Sequence, residues 1–143
     1  KKENNLIVDE SALYTPGTKQ NIICVEEILI GQAICFDIRF PEHFVYYRKK
    51  KVDLITIPAA FTRKTGVLHW HTLAKARAIE NQCFVVAATQ VGEHNDQVRT
   101  YGHSLVVDPW GEIVVDLGGK NEGCKTIDLN FDKVKEVRES IRI

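Results

Sequence analysis

Residues 31–42 read GQAICFDIRFPE. An apolar run ends in Cys35, and Asp37, Arg39, Pro41 and Glu42 follow at once. A cysteine at the end of a strand is ordinarily a small core hydrophobe. Here three ionisable side chains crowd it, more than a core position tolerates. Pro41 fits the first turn of a helix, so the stretch reads as strand, tight turn, helix. That arrangement exposes a side chain at the carboxyl edge of a sheet and offers the opening amides of the helix to an oxyanion. Cys35 is therefore a candidate nucleophile, and a thiol in that role needs a base and a local positive charge to lose its proton.

The flanking sequence gives the turn its setting. NIICV (21–25) and ILIGQAIC (28–35) are short β-rich runs separated by Glu26-Glu27, which predicts a hairpin. EHFVYYRKKK reads as a short helix, and VDLITIPAAF as a strand buried on both faces. VLHWHTLAKARAIENQ places apolar residues at 67, 68, 70, 73, 74, 76 and 79, a helical spacing. CFVVAATQ is a second buried strand, and GEHNDQVRTYG a polar loop long enough to be functional. HSLVVD and EIVVDL are strands flanking Pro109-Trp110-Gly111, GCKTIDL is a further strand, and NFDKVKEVRESI is a helix capped by Asn130. Strands alternating with helices and then a meander indicate a mixed α/β layered domain spanning residues 1–143. Three helices are too few to cover both faces of such a sheet. A second sheet, another subunit or a further half of the domain is expected to supply the rest.

Composition narrows the class. The chain has 143 residues, 44% hydrophobic and 27% charged, which suits one globular domain. Nineteen basic residues balance nineteen acidic ones, so no net field recruits nucleic acid or an anionic membrane. The run Arg48-Lys49-Lys50-Lys51 falls where a helix ends and complements its dipole. No apolar run reaches the ~20 residues of a membrane span, and no signal peptide opens the chain. Cysteines 24, 35, 83 and 124 show no CxxC pairing, and three lie in apolar runs, which favours reduced, buried thiols. A soluble cytoplasmic protein is expected, with a mitochondrial location as the alternative.

GQAICFDIRFPE resembles the nucleophile segment of the nitrilase superfamily, the carbon-nitrogen hydrolases, whose pattern is roughly G-x-x-[IV]-C-[YF]-D-x-R-F-P-E. The likeness continues through ITIPAAF, GVLHWHTLAKARAIENQCFVVAATQ and YGHSLVVDPWGEIV, in the same order. The resemblance implies an αββα sandwich of which this chain is the C-terminal half, with homodimers or larger oligomers formed through helices. It also implies a Glu–Lys–Cys triad: glutamate as base, lysine stabilising the oxyanion, cysteine forming a thioester or thioimidate. The cysteine carries over to Cys35, and the backbone amide of Phe36 would join in holding the oxyanion. A second glutamate in a segment shaped like E-S-x-x-x-x-P-G matches ESALYTPG, so Glu10 would position the substrate amine or the lysine. Arg39 and Glu42 are expected to brace the turn by ion pairing. Ala59, Ala60 and Phe61 would line the substrate pocket, with residues 62–66 as a specificity loop. The triad's Glu and Lys lie upstream of ESxxxxPG in the family, and neither Lys1 nor Lys2 has the K-x-H-L-F context of that lysine.

The remaining polar residues carry alternatives. His69 and His71 are two apart and point to different sides of a helix, so they cannot share a metal. Trp70 between them reads as core packing. Cys35 with His103 would make a papain-like pair, without an evident Asn or Asp partner. Arg99 is a candidate for meeting a substrate carboxylate. The likeness is closest to the branch that hydrolyses deaminated glutathione, a metabolite-repair amidase acting on a small-molecule amide. The sister ω-amidases usually carry Asn where Asp108 stands, and an N-carbamoyl amide hydrolase is a further alternative. No cofactor and no metal are expected, since water deacylates the intermediate. The competing reading from another class is an inactive, dimer-forming half-domain that lacks the base and the lysine.

Overall fold

A computed structural model describes residues 12–95 and 98–143. The predicted hairpin forms: β1 (Asn21–Val25) pairs antiparallel with β2 (Ile28–Gln32). Glu26 and Glu27 both take positive φ, 48° and 72°, as a two-residue turn matched to strand twist requires. The chain then runs through a short 3-10 helix (Cys35–Arg39), α1 (Pro41–Lys49), β3 (Leu54–Thr56), α2 (Arg63–Asn81) and β4 (Phe84–Ala87). β5 (Val91–Glu93) and β6 (Arg99–Tyr101) make a small separate hairpin; β7 (Leu105–Val107), β8 (Ile113–Asp116) and α3 (Asp132–Ser140) complete the order.

Six strands form one sheet in the order β1-β2-β3-β4-β7-β8. β2, β3 and β4 are parallel to one another, and the other pairs are antiparallel. Because β2, β3 and β4 advance across the sheet in one direction, right-handed crossovers place both α1 and α2 on the same face. The side-chain period of two then sorts the apolar residues. Ile55, Val85, Ala87, Leu105 and Val107 point to that face and pack under Phe44 and Tyr47 of α1 and Trp70, Ala74 and Ala78 of α2. Leu54, Phe84, Val106 and Val115 point to the other face, where Val134 of α3 and Ile127, Leu129 and Phe131 lie against them. Both faces of the central strands are thus apolar, which is why they read as continuous hydrophobic runs.

Five expectations change. The polar stretch read as a loop over 92–102 contains the β5–β6 hairpin, with Tyr101 N–H bonding back to the Phe61 carbonyl (2.8 Å). The strand expected at 123–129 is absent, because that segment lies over the sheet's second face through Ile127 and Leu129 instead of pairing at its edge. Residues 63–66 are the first turn of α2 and so cannot be a specificity loop. α3 starts after Phe131; Asn130 still serves its entry, its Oδ1 accepting from Asp132 N–H at 3.0 Å. All four cysteines are free, but Cys24 and Cys124 are exposed, and only Cys83 is fully buried, where burial pushes its thiol well above the ordinary value. No helix among the described residues is long and apolar enough to cross a membrane.

Candidate active site

The carboxyl ends of β2, β3 and β4 lie along one edge of the sheet, and each delivers a short segment to the same place. Cys35 N–H donates to the Pro58 carbonyl (2.8 Å), Ala59 N–H to Ala88 (2.9 Å), and Gln90 N–H to Ala59 (3.0 Å). These bonds continue the parallel ladder beyond the strands and fix three turns side by side. Between them is a cavity of about 600 Å³ lined by Cys35, Ala59, Ala60, Thr89, Gln90 and Ser104. Ligand sites of open α/β sheets occupy this kind of crevice.

Cys35 is half-buried and holds φ = +43°, left-handed backbone that an L-residue other than glycine adopts at a cost. Its surroundings enforce this. Asp37 Oδ2 accepts Ile34 N–H (2.8 Å), and Phe40 N–H closes on the Asp37 carbonyl (3.0 Å). Arg77, on α2, is buried and donates from Nε to the Ile38 carbonyl (2.9 Å), while its Nη1 pairs with Glu80 (2.6 Å). A buried guanidinium thereby pins the Cys35 turn to the long helix, a contact with no sequence signal beyond an arginine on an otherwise Ala-rich face.

The expected pocket residues divide. Ala59 and Ala60 line the cavity. Phe61 does not: it is buried against Trp70, ring centroids 4.9 Å apart, because the chain turns inward there to start α2. Arg99 pairs with Glu93 across the β5–β6 hairpin (3.1 Å), exposed and off the cavity wall. Among the described residues Arg39 and Glu42 make no ion pair. Arg39 lies over the rings of Phe36 and Phe61, 5.5 and 5.0 Å from their centroids, and its Nη1 approaches His69 Nδ1 (3.2 Å). It braces the turn through aromatic faces rather than a carboxylate. Glu42 sits in the first turn of α1, where a negative charge suits the helix dipole. Glu10 lies outside the described residues.

His103 is not paired with Cys35. Its Nδ1 lies 2.9 and 3.0 Å from the two carboxylate oxygens of Asp116, and His71 Nε2 lies 2.9 Å from Asp116 Oδ2. Burial would raise the Asp116 pKa, but the hydrogen bonds from His71, His103 and the Gly118 amide outweigh it and hold the carboxyl below its usual value. His69 and His71 diverge as their spacing predicts, and Trp70 is fully buried, its Nε1 donating to the His103 carbonyl (2.9 Å). Thr89 and Ser104 join the site without any sequence signal: Thr89 N–H donates to Ser104 Oγ (2.9 Å), and Thr89 Oγ1 to the Gly102 carbonyl (2.7 Å). They set the far wall of the cavity, and isolated hydroxyl residues beside strands give no sign of it.

The pattern of the carbon-nitrogen hydrolase family matches residues 2–139, and the chain belongs to that family. It is 44% identical over 112 residues to the deaminated glutathione amidase of Synechocystis sp., covering 78% of this chain and 41% of the relative. Its fold matches the crystal structure of Saccharomyces cerevisiae Nit3, a member of branch 10 of the nitrilase superfamily, with TM-score 0.84 and 34% identity, over 94% of this chain and 49% of that one. It also matches a mutant of the amidase from Nesterenkonia sp. AN1, which carries the acetamide moiety of fluoroacetamide covalently on its active-site cysteine (TM-score 0.69, 26% identity, 78% and 42% coverage). The chain spans less than half the length of each of these three.

Proposed function

We propose that the protein carrying this chain hydrolyses an amide C–N bond of a small molecule through a thioester on Cys35. The observation that carries this is the strained Cys35 backbone, held at the sheet's carboxyl edge with its side chain on the wall of a 600 Å³ cavity. The Cys35 thiolate attacks the amide carbon, and the carbonyl oxygen becomes an oxyanion. Phe36 N–H, in the opening turn beside Cys35, is the proposed donor to that oxygen. The C–N bond then breaks, the amine leaves with a proton from a general acid, and a thioester remains. Water attacks the thioester, releases the acid and returns the thiol. The base glutamate and the lysine of the family have no assigned counterpart in these 143 residues, and Glu10 is the proposed positioning carboxylate.

The named relatives favour deaminated glutathione as substrate, over an ω-amidase or N-carbamoyl substrate. A homodimer in the cytoplasm or mitochondrion fits the same reading. Rapid quenching of the whole protein with deaminated glutathione, followed by peptide mass spectrometry, should show an acyl adduct on Cys35. Cys35→Ala should lose the adduct and lower turnover at least about a thousandfold. An adduct on another residue, or activity retained in Cys35→Ala, rejects the mechanism; an adduct formed only with α-ketoglutaramate or a carbamoyl amide keeps the mechanism and rejects the substrate.

A further inference from the structure

Three side chains that the proposed hydrolysis does not use converge from three separate elements. His71 comes from α2, His103 from the turn before β7, and Asp116 from the end of β8. One ligand atom from each lies within 4.8 Å of the other two. We propose that His71 Nε2, His103 Nδ1 and Asp116 form a binding site for one divalent transition ion of the zinc class, with solvent as fourth ligand, that clamps α2 to β8.

The donor set is the right chemistry: imidazole and carboxylate suit Zn²⁺ in tetrahedral geometry. Tetrahedral ligands about 2.0–2.1 Å from the metal stand ~3.3 Å apart. The two imidazole nitrogens are 2.9 Å from the carboxylate, so the ion needs the Asp116 contacts to open by a few tenths of an ångström and the two rings to draw together. Both hydrogen bonds place a proton on the nitrogen that the metal would take, so each ring must move its proton to the opposite nitrogen. The surroundings allow that. His71 Nδ1 has Tyr101 Oη 3.5 Å away as partner, the kind of outer-shell contact that supports metal-bound histidine. His103 Nε2 lies where a Cβ at position 119 would stand only 2.9 Å from it, so the glycine there keeps that nitrogen uncrowded.

The site is also held in place before any ion arrives. The Tyr101 ring stacks on His103, centroids 4.2 Å apart and planes 25° from parallel. His103 itself sits at φ = +59°, a strained backbone fixed by its N–H to the Gly118 carbonyl (2.8 Å) and by Trp70 Nε1 on its own carbonyl. Asp116 Oδ1 takes the Gly118 amide (2.8 Å), which orients the carboxylate. The three side chains are 23–30% exposed, so an ion can reach them.

The test is titration of the whole, tag-free protein, stripped with chelator, with Co²⁺ and then Zn²⁺. The expected result is one equivalent of Co²⁺ giving the visible bands of tetrahedral nitrogen–oxygen coordination, displaced by Zn²⁺. Zinc should raise the Tm by several degrees at about 100-fold excess over Kd, and not in His71→Gln. His71→Gln and Asp116→Asn should each weaken binding at least about a hundredfold. X-ray absorption of the zinc-loaded unaltered protein should show two imidazoles and no sulfur near ~2.3 Å, a reading that stands whether or not the variants fold. No stoichiometric binding at micromolar metal, sulfur in the coordination shell, or unchanged affinity in both variants overturns the site and leaves a hydrogen-bonded His–Asp–His array.

Discussion

Gly66 shows how two small effects of opposite sign are decided by distance. It lies in the first turn of α2, where alanine is intrinsically better than glycine by about 1 kcal/mol. A Cβ there would sit 2.4 Å from both Cβ and Cγ of Tyr101, atoms tied directly to a strand backbone. That clash cannot be relieved by rotating a flexible tip, and overpacking of this kind costs about 1–3 kcal/mol or more. Gly66→Ala should therefore destabilise the protein by about 1–2 kcal/mol net, read as a lowered urea midpoint with an unchanged m-value. A rise in the midpoint would show that Tyr101 is not seated against α2 as described. Because Tyr101 also stacks on His103, the same substitution should disturb the His–Asp–His cluster.

The β7–β8 turn is held by one carboxylate. Asp108 is almost fully buried, with Oδ1 accepting N–H from Trp110 and Glu112 (both 2.9 Å) and Oδ2 accepting from Lys133 at the start of α3. Burial would raise its pKa, but the Lys133 hydrogen bond and the two amides win, and the folded value lies below the ordinary carboxylate range. A depressed folded pKa contributes stability that is fully present above the unfolded value of about 3.9 and is lost as pH falls through the folded one. Asp108→Asn should then cost about 1–3 kcal/mol at pH 7. The difference from the parent should stay level down to about pH 5 and close below about pH 4, in denaturant titrations at a series of pH values. A gap that widens in acid would contradict the assignment. At this scale the sequence was legible where a single signal sufficed: the Pro109-Trp110-Gly111 turn, the Glu26-Glu27 hairpin and the Pro41 helix start all formed where local chemistry placed them. The strand read over 123–129 failed because its alternation served packing of Ile127 and Leu129 on a sheet face, and apolar spacing does not tell pairing from covering.

At the scale of the molecule, the rim of the Cys35 turn is apolar and open. Ile34, Phe36 and Phe40 are 66%, 58% and 44% exposed beside the proposed nucleophile. Exposed apolar patches of this kind mark a surface meant to be covered, and the chain spans only 41% of the length of its amidase relative. The 143 residues alone should therefore show no amide turnover above background, since the base glutamate and the lysine of the proposed mechanism have no assigned counterpart among them. Robust turnover by the chain alone would place the activating groups within it, with Glu10 the first residue to substitute.

The sequence by itself determined most of the strands and helices and the turn at Cys35, because period-two and period-3.6 patterning and turn chemistry are local properties of the chain, while the family was legible in the order of its motifs. Tertiary structure decided which residues face the cavity. Phe61 went inward while Ala59 and Ala60 stayed on the wall; Arg77 reached across to hold the Cys35 turn; and His71, His103 and Asp116 met although 32 and 13 residues separate them. Such meetings depend on which strands lie side by side and how far a helix sits above them, distances that no spacing along the chain encodes.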